Sequence, residues 1–333
     1  MNSMGIKIMN DLKIIIIGFY YGTFPAWMDY WLRSCADNQT IDFLIVSDND
    51  LTDIPSNVRL VRMSLSDVRE LCIKKLQTNI SLNNPYKLCD LKPFYGIILE
   101  DYIGEYDYWG HCDFDLIWGD IRTFIEKYDI QKYDKFLPLG HLSLYRNDVC
   151  CRAHFEKPGS RCGSYKEVLN TEQTCGFDEI NGIYSIYATN KIPMFVSRIF
   201  AEIKTYPKRF KMKFVDRNYR HQVFYYENGK VLRAYVRNRR VYTEEYIYIH
   251  FRRKLPVFGA ATWRTLGAFY ISSRGLVDKP YGEPTVEQIK ENNPYSGWLY
   301  EIWETAMFCL SHTKGLLNSI KFLIMAMKGK IKR

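Results

Sequence analysis

The chain has 333 residues, 47% hydrophobic and 25% charged, a composition that builds a globular core and excludes repeat or low-complexity architectures. Its formal charge of +9 is unevenly spread: residues 204–254 hold 15 basic against 4 acidic side chains, residues 298–333 hold 6 against 2, and the remainder is net acidic. That asymmetry points to phosphates or an anionic lipid surface. No helix-turn-helix, zinc-finger, RNP or KH pattern accompanies it, which excludes a nucleic-acid partner.

Residues 13–18 form a β-branched apolar run ending in Gly18-Phe19-Tyr20-Tyr21-Gly22, read as a buried first strand and its loop. The run is too short for a membrane span or a signal segment. Helical spacing follows over 27–35, then strands over 41–46 and 57–63. A helix over 66–75 begins at Ser66-Asp67 with Glu70 nearby. Strands alternating with helices in this way predict an α/β fold with a mostly parallel sheet. Ligands of such sheets collect at the carboxyl ends of strands. Gly18, Tyr20 and Asp48 are therefore candidate nucleotide contacts.

Lys87, Asp90 and Lys92 precede an apolar helix. The two lysines are expected to meet a diphosphate, and Asp90 to hold sugar hydroxyls or orient a lysine. Residues 107–120 then read Asp-Tyr-Trp-Gly-His-Cys-Asp-Phe-Asp-Leu-Ile-Trp-Gly-Asp. On a strand, Asp113 and Asp115 point to one face. Two neighbouring anions repel unless a cation joins them, and hard carboxylate oxygens suit Mg²⁺ or Mn²⁺ with positions left for substrate phosphates. The motif predicts an enzyme that holds a nucleotide diphosphate through a divalent ion.

A helix over 121–128 and a strand over 135–139 lead to Gly140-His141-Leu142-Ser143-Leu144-Tyr145-Arg146-Asn147, where His141, Ser143 and Tyr145 are expected to line the sugar or acceptor side. Residues 150–180 look irregular, and within them Asp178-Glu179 is a candidate acid pair for a general base. Nine cysteines, irregularly scattered and without a signal peptide ahead of them, fit a reduced, cytoplasmic setting. Among them Cys150, Cys151, Cys162 and Cys175, with His154, match no paired zinc spacing. Asn228-Gly229 marks a hairpin within 221–249, whose second strand runs on to His250. His250 is placed to complete the metal site, with Arg252, Arg253 and Lys254 beside the diphosphate.

Residues 256–284 read as an irregular linker, within an extension reaching 297. Apolar residues at helical spacing from Trp298 to Met327, followed by a basic end, predict an amphipathic helix that could lie on an anionic membrane or dock on the catalytic domain. The expected organisation is thus a catalytic domain over 1–255, an extension over 256–297 and a helix over 298–333, with the protein cytoplasmic or peripheral on the inner face of the plasma membrane.

Taken together, Ser34-Cys35 with Ile41-Asp42-Phe43-Leu44, the block 85–93 (Pro-Tyr-Lys-Leu-Cys-Asp-Leu-Lys-Pro), the block 109–120, the block 140–147 and Tyr248-Ile249-His250 resemble a family of bacterial proteins among the predicted glycosyltransferases of polysaccharide biosynthesis. The resemblance spans roughly residues 13–255. It implies a GT-A-like fold in which the Asp-x-Asp motif holds Mn²⁺ or Mg²⁺ against a nucleotide-sugar donor, UDP-linked by expectation. It also implies a glycan or lipid-linked acceptor and a late histidine, His250, on the metal. Inverting and retaining chemistry both stay open. Nucleotidyl transfer is the competing enzyme class, but it favours a lysine-bearing glycine loop that 18–22 lacks. A non-catalytic glycan- or lipid-binding protein is the other alternative.

Overall fold

The computed structural model describes residues 11–204, 209–213, 217–252, 254–300 and 302–303. Along the chain run β1 (Ile14–Tyr20), β2 (Asp42–Ser47), β3 (Val58–Arg62), β4 (Tyr108–Cys112), β5 (Leu116–Trp118), β6 (Lys135–Phe136), β7 (Leu142–Arg146), β8 (Met194–Phe195) and β9 (Ala201–Glu202). There follow β10 (Gln222–Glu227), β11 (Lys230–Arg237), β12 (Arg240–Tyr246), β13 (Tyr248–His250), β14 (Phe269–Ser272) and β15 (Gly275–Asp278).

The main sheet has the order β3-β2-β1-β4-β7-β6-β8. β1 pairs in parallel with β2 on one side and β4 on the other, and β7 runs antiparallel between β4 and β6. The four consecutive isoleucines of β1 explain themselves here. Ile14 and Ile16 enter the core under helix Met28–Ala36, while Ile15 and Ile17 enter the opposite core under helix Leu65–Leu76. A strand covered on both faces needs apolar residues at every position. Because the strand order reverses beside β1, the carboxyl ends of β1 and β4 border the crevice where open α/β sheets take ligands.

A three-stranded sheet, β5-β13-β9, stands at that crevice, and a five-stranded antiparallel sheet, β12-β11-β10-β14-β15, adjoins it. A shared core of Ile117, Ile249, Phe224, Phe269 and Leu276 ties the two together. The hairpin at Asn228-Gly229 is present, with φ of 52° and 74°. The chain then turns again at Asn238-Arg239, both left-handed, so β11 ends there and β12 folds back; the sequence pattern had run the two together. A second correction concerns 256–297. Far from an irregular linker, it supplies β14, β15 and helix Val286–Asn292, which bury Leu266, Phe269, Ile271, Leu276 and Ile289. Its strands are short and glycine-flanked, which hid them. A smaller correction is that helix Leu65–Leu76 is capped by Ser64 with Asp67 as its capping-box partner, rather than starting at Ser66.

Candidate active site

The Asp-x-Asp motif lies in the bend between β4 and β5, one step beyond the strand where alternation placed it. Phe114 is what shapes the bend. Its ring is buried against Trp31 and Tyr20, and its carbonyl accepts a hydrogen bond from Trp27 Nε1 at 2.8 Å. Gly18 makes room for it, since a Cβ there would meet the Phe114 ring at 2.7 Å. With Phe114 turned inward, Asp113 and Asp115 are left on the open side, their side chains 34% and 29% exposed. Gly18 thus acts on the motif through packing, not as a phosphate loop.

β13 brings the third member. It pairs antiparallel with β5 and parallel with β9, which sets His250 opposite Leu116 and beside Glu202. His250 Nε2 lies 3.2 Å from Asp115 Oδ1, and Nδ1 lies 2.8 Å from Glu202 Oε2. One donor atom from each of Asp113, Asp115 and His250 falls within 4.8 Å of the others. This donor set fits a hard divalent ion: two carboxylates and one imidazole, open to solvent on the carboxylate side. The fit extends to the outer partner. A metal-ligating histidine ordinarily gives its other ring nitrogen to a carboxylate that fixes the ring, and Glu202 occupies that place.

Burial alone would lower the His250 imidazolium, but its bonds to Asp115 and Glu202 push it up to about 10. A proton therefore stands on the ring where a cation would replace it. Burial would raise Glu202, yet the hydrogen bonds from His141 and His250 hold it far below the usual carboxylate range. Burial likewise opposes ionisation of Asp113, and the Lys92 ammonium and His250 outweigh it.

Lys92 joins two parts of the site. Its buried Nζ lies 2.6 Å from Asp113 Oδ1, 3.0 Å from Asp178 Oδ2 and 2.9 Å from the Gly140 carbonyl. Burial pushes the Asp178 carboxyl up to about 6, although Lys92 pulls it down. Gly140 is glycine because a Cβ there would run into the carboxylate of Asp178 and come within 2.9 Å of Glu179 Oε1.

The other expected residues divide. Lys87 and Asp90 do not face a ligand. Lys87 Nζ bonds Asp90 Oδ2, Val168 O and Gln173 O at 2.8, 2.8 and 2.6 Å, and Asp90 accepts from the backbone N–H of Cys175 and Phe177. This buried pair pins the loop that presents Asp178. His141, expected on the sugar side, is buried behind His250, with Nδ1 2.8 Å from Tyr248 Oη and Nε2 3.1 Å from Glu202 Oε2. Burial lowers its imidazole. Ser143 and Tyr145 are also internal: Ser143 meets the buried Lys135, and the Tyr145 ring packs on Trp109. All three sit on β7 or at its start, in the middle of a sheet covered on both faces.

Tyr20 stacks on Phe24 at the end of β1, and Asp48 is exposed just after β2, where both can meet a nucleoside. Arg252 turns back to bond Glu202 Oε1 at 3.0 Å, Lys254 is exposed, and Arg253 lies outside the described residues. Glu202 itself was missed. Its strand is two residues long and carries no local pattern. A cavity of about 400 Å³ bordered by Thr123, Lys127, Arg198 and Glu244 shares no residue with this cluster.

Replacing Glu202 by glutamine keeps the shape and removes the charge behind His250. Mn²⁺ affinity, followed by calorimetry, is expected to fall roughly 10–100-fold with the circular dichroism unchanged. An unaltered affinity would remove Glu202 from the site.

Residues 16–279 match a family described as "Family of unknown function (DUF6625)". No curated protein matches the chain. Similar solved structures include mouse xyloside xylosyltransferase 1, at 9% identity and a TM-score of 0.36 over 58% of this chain and 89% of that one. The galactosyltransferase LgtC with donor and acceptor sugar analogs aligns at 12% identity and 0.34, over 56% and 75%. The glycosyltransferase GlyE of Streptococcus pneumoniae TIGR4 aligns at 12% and 0.32, over 56% and 46%. Scores this low transfer no chemistry.

Proposed function

The chain belongs to the DUF6625 family, and we propose that it is a metal-dependent glycosyltransferase moving a sugar from a nucleotide diphosphate to a glycan or lipid-linked acceptor. One observation carries the reading: Asp113, Asp115 and His250 converge beside the crevice at the carboxyl ends of β1 and β4, with Glu202 fixing the imidazole. The strand order, with its single reversed strand β7 and the small sheet holding His250, supports a GT-A-like arrangement.

Asp113, Asp115 and His250 would hold Mn²⁺ or Mg²⁺, which when bound supplies Lewis-acid stabilisation to a departing diphosphate. The protein's own groups do the rest. Lys92 keeps Asp113 ionised and ties it to Asp178, so the donor and sugar sides keep a fixed separation. Tyr20 offers a ring for a base and Asp48 a carboxylate for a ribose. Asp178 and Glu179 are the acid pair on the sugar side, and Arg252 and Lys254 add positive charge near the phosphates. Exposed Trp298, Leu299, Ile302 and Trp303 begin the segment whose sequence ends in a basic run, which supports contact with an anionic membrane surface. Residues 304–333 lie outside the described residues, and among the described ones no helix is long and apolar enough to cross a membrane.

The test is calorimetry with UDP and other nucleoside diphosphates, with and without Mn²⁺, followed by a panel of nucleotide sugars watched for slow donor hydrolysis. Metal-dependent uptake and hydrolysis are expected. Uptake indifferent to metal, or none, defeats the reading and leaves a binding-only protein.

A further inference from the structure

At the opposite end of the main sheet, a second group of unlike donors meets. Asp134 immediately precedes β6, Cys151 lies in the helical turn Val149–Arg152, and His154 follows it. One donor atom from each lies within 4.8 Å of the others, and His154 Nε2 is 3.3 Å from Asp134 Oδ2. β7 separates this group from the Asp-x-Asp bend: Leu142, at one end of the strand, pairs with Cys112, and Arg146, at the other, bonds the Asp134 backbone. The two clusters share no residue.

We propose that Asp134, Cys151 and His154 form a binding site for a zinc-type transition ion. A carboxylate, a thiolate and an imidazole are the three ligand classes zinc takes, and in a tetrahedral site they stand about 3.3–3.8 Å apart, given bonds of about 2.0–2.3 Å. The Asp134–His154 separation of 3.3 Å already falls in that range, and Cys151 offers its sulfur within 4.8 Å of both. An ordinary ion pair between Asp134 and His154 accounts for part of the arrangement, but not for what surrounds it. The hydroxyl of Tyr187, whose ring packs edge-on to His154 at 5.3 Å, is buried without a partner. Burial first, then Tyr145 and the nearby Cys151, Asp134 and Asp148, push that phenol well up. An orphaned hydroxyl beside three ligands is where a fourth ligand, a water, finds a partner.

Charge agrees with this assignment. Cys151 Sγ donates to Asp148 Oδ2 at 3.3 Å, and Arg146 Nε stands 3.3 Å from Asp134 and 4.0 Å from Asp148. Two aspartates and a thiolate balance one guanidinium and one divalent ion, provided the thiol proton leaves to solvent when the ion arrives. Sequence spacing had grouped Cys162 and Cys175 with this cysteine. The structure sets those two against each other, Cys162 Sγ on the Cys175 carbonyl, and supplies Asp134 from another segment.

The test uses the reduced full chain, stripped with a chelator and given one equivalent of Co²⁺ in excess Mg²⁺. A thiolate-to-cobalt charge-transfer band in the near ultraviolet is expected. It should survive Cys150→Ser and Asp113→Ala and disappear in Cys151→Ser. Zn²⁺ affinity in Cys151→Ser should fall more than about 100-fold, beyond the loss that follows removal of an outer partner. His154→Gln serves as a second variant and should also lose the band. Absence of the band in the unaltered chain, or its persistence in Cys151→Ser, overturns the proposal. The Asp113, Asp115 and His250 set contains no sulfur, so this readout is independent of glycosyl transfer.

Discussion

Alanine at Asp115 is expected to lower metal-dependent donor turnover by about 10²–10³-fold or more, the loss that follows removal of one preorganised charge-stabilising group. The expectation rests on where the carboxylate points. Asp115 faces His250 Nε2 at 3.2 Å and is partly open to solvent, whereas Asp113 is held by the Lys92 ammonium. Its backbone carbonyl accepts from Phe251 N–H, and that bond does not need the side chain. The variant should therefore fold, with Mn²⁺ uptake lost and the thermal midpoint little changed. His250→Ala should match it in turnover. Transfer at the original rate by both variants would end the metal assignment.

The second large effect concerns stability. Lys87→Met leaves the Asp90 carboxylate fully buried without its cation, and breaking such a pair costs about 3–5 kcal/mol. At about 2.1 cal/mol/K per residue a chain of 333 residues has an unfolding entropy of about 0.7 kcal/mol/K, so the midpoint should fall by roughly 4–7 °C. Asp90→Asn should behave similarly, because it weakens the acceptor for the Cys175 and Phe177 amides as well as for Lys87. A double replacement by apolar residues should recover part of the loss, since neither charge is then stranded. The readout is calorimetric melting. A midpoint within 2 °C of the parent in both single variants, set against that expected fall of roughly 4–7 °C, would show that the pair is not holding the 173–178 loop.

Much of this was readable beforehand because it is local. The isoleucine run of β1, the Asn228-Gly229 turn and the Asp-x-Asp motif each carry their physics within a few residues. His250 was expected at a strand end, and β13 does end there. What escaped depended on pairing across long separations. Nothing near Glu202 signals that β9 will lie beside β13. Nothing around Lys87 separates a lysine that meets a phosphate from one that is sealed against Val168 and Gln173. Alternation also cannot tell which face of β7 is covered, so His141, Ser143 and Tyr145 read as ligand-facing when helices and a second sheet enclose them.

The pairing of two very short strands has a consequence for how the site comes into being. Glu202 and His250 meet only when β9 and β13, nearly fifty residues apart, align beside β5, and contacts so distant in sequence form slowly. A chain emerging from the ribosome can fold its isoleucine-rich half early, acids and all. On the proposed reading the site stays incomplete until His250 is synthesised and docked, so activity would double as a report that synthesis has passed residue 250.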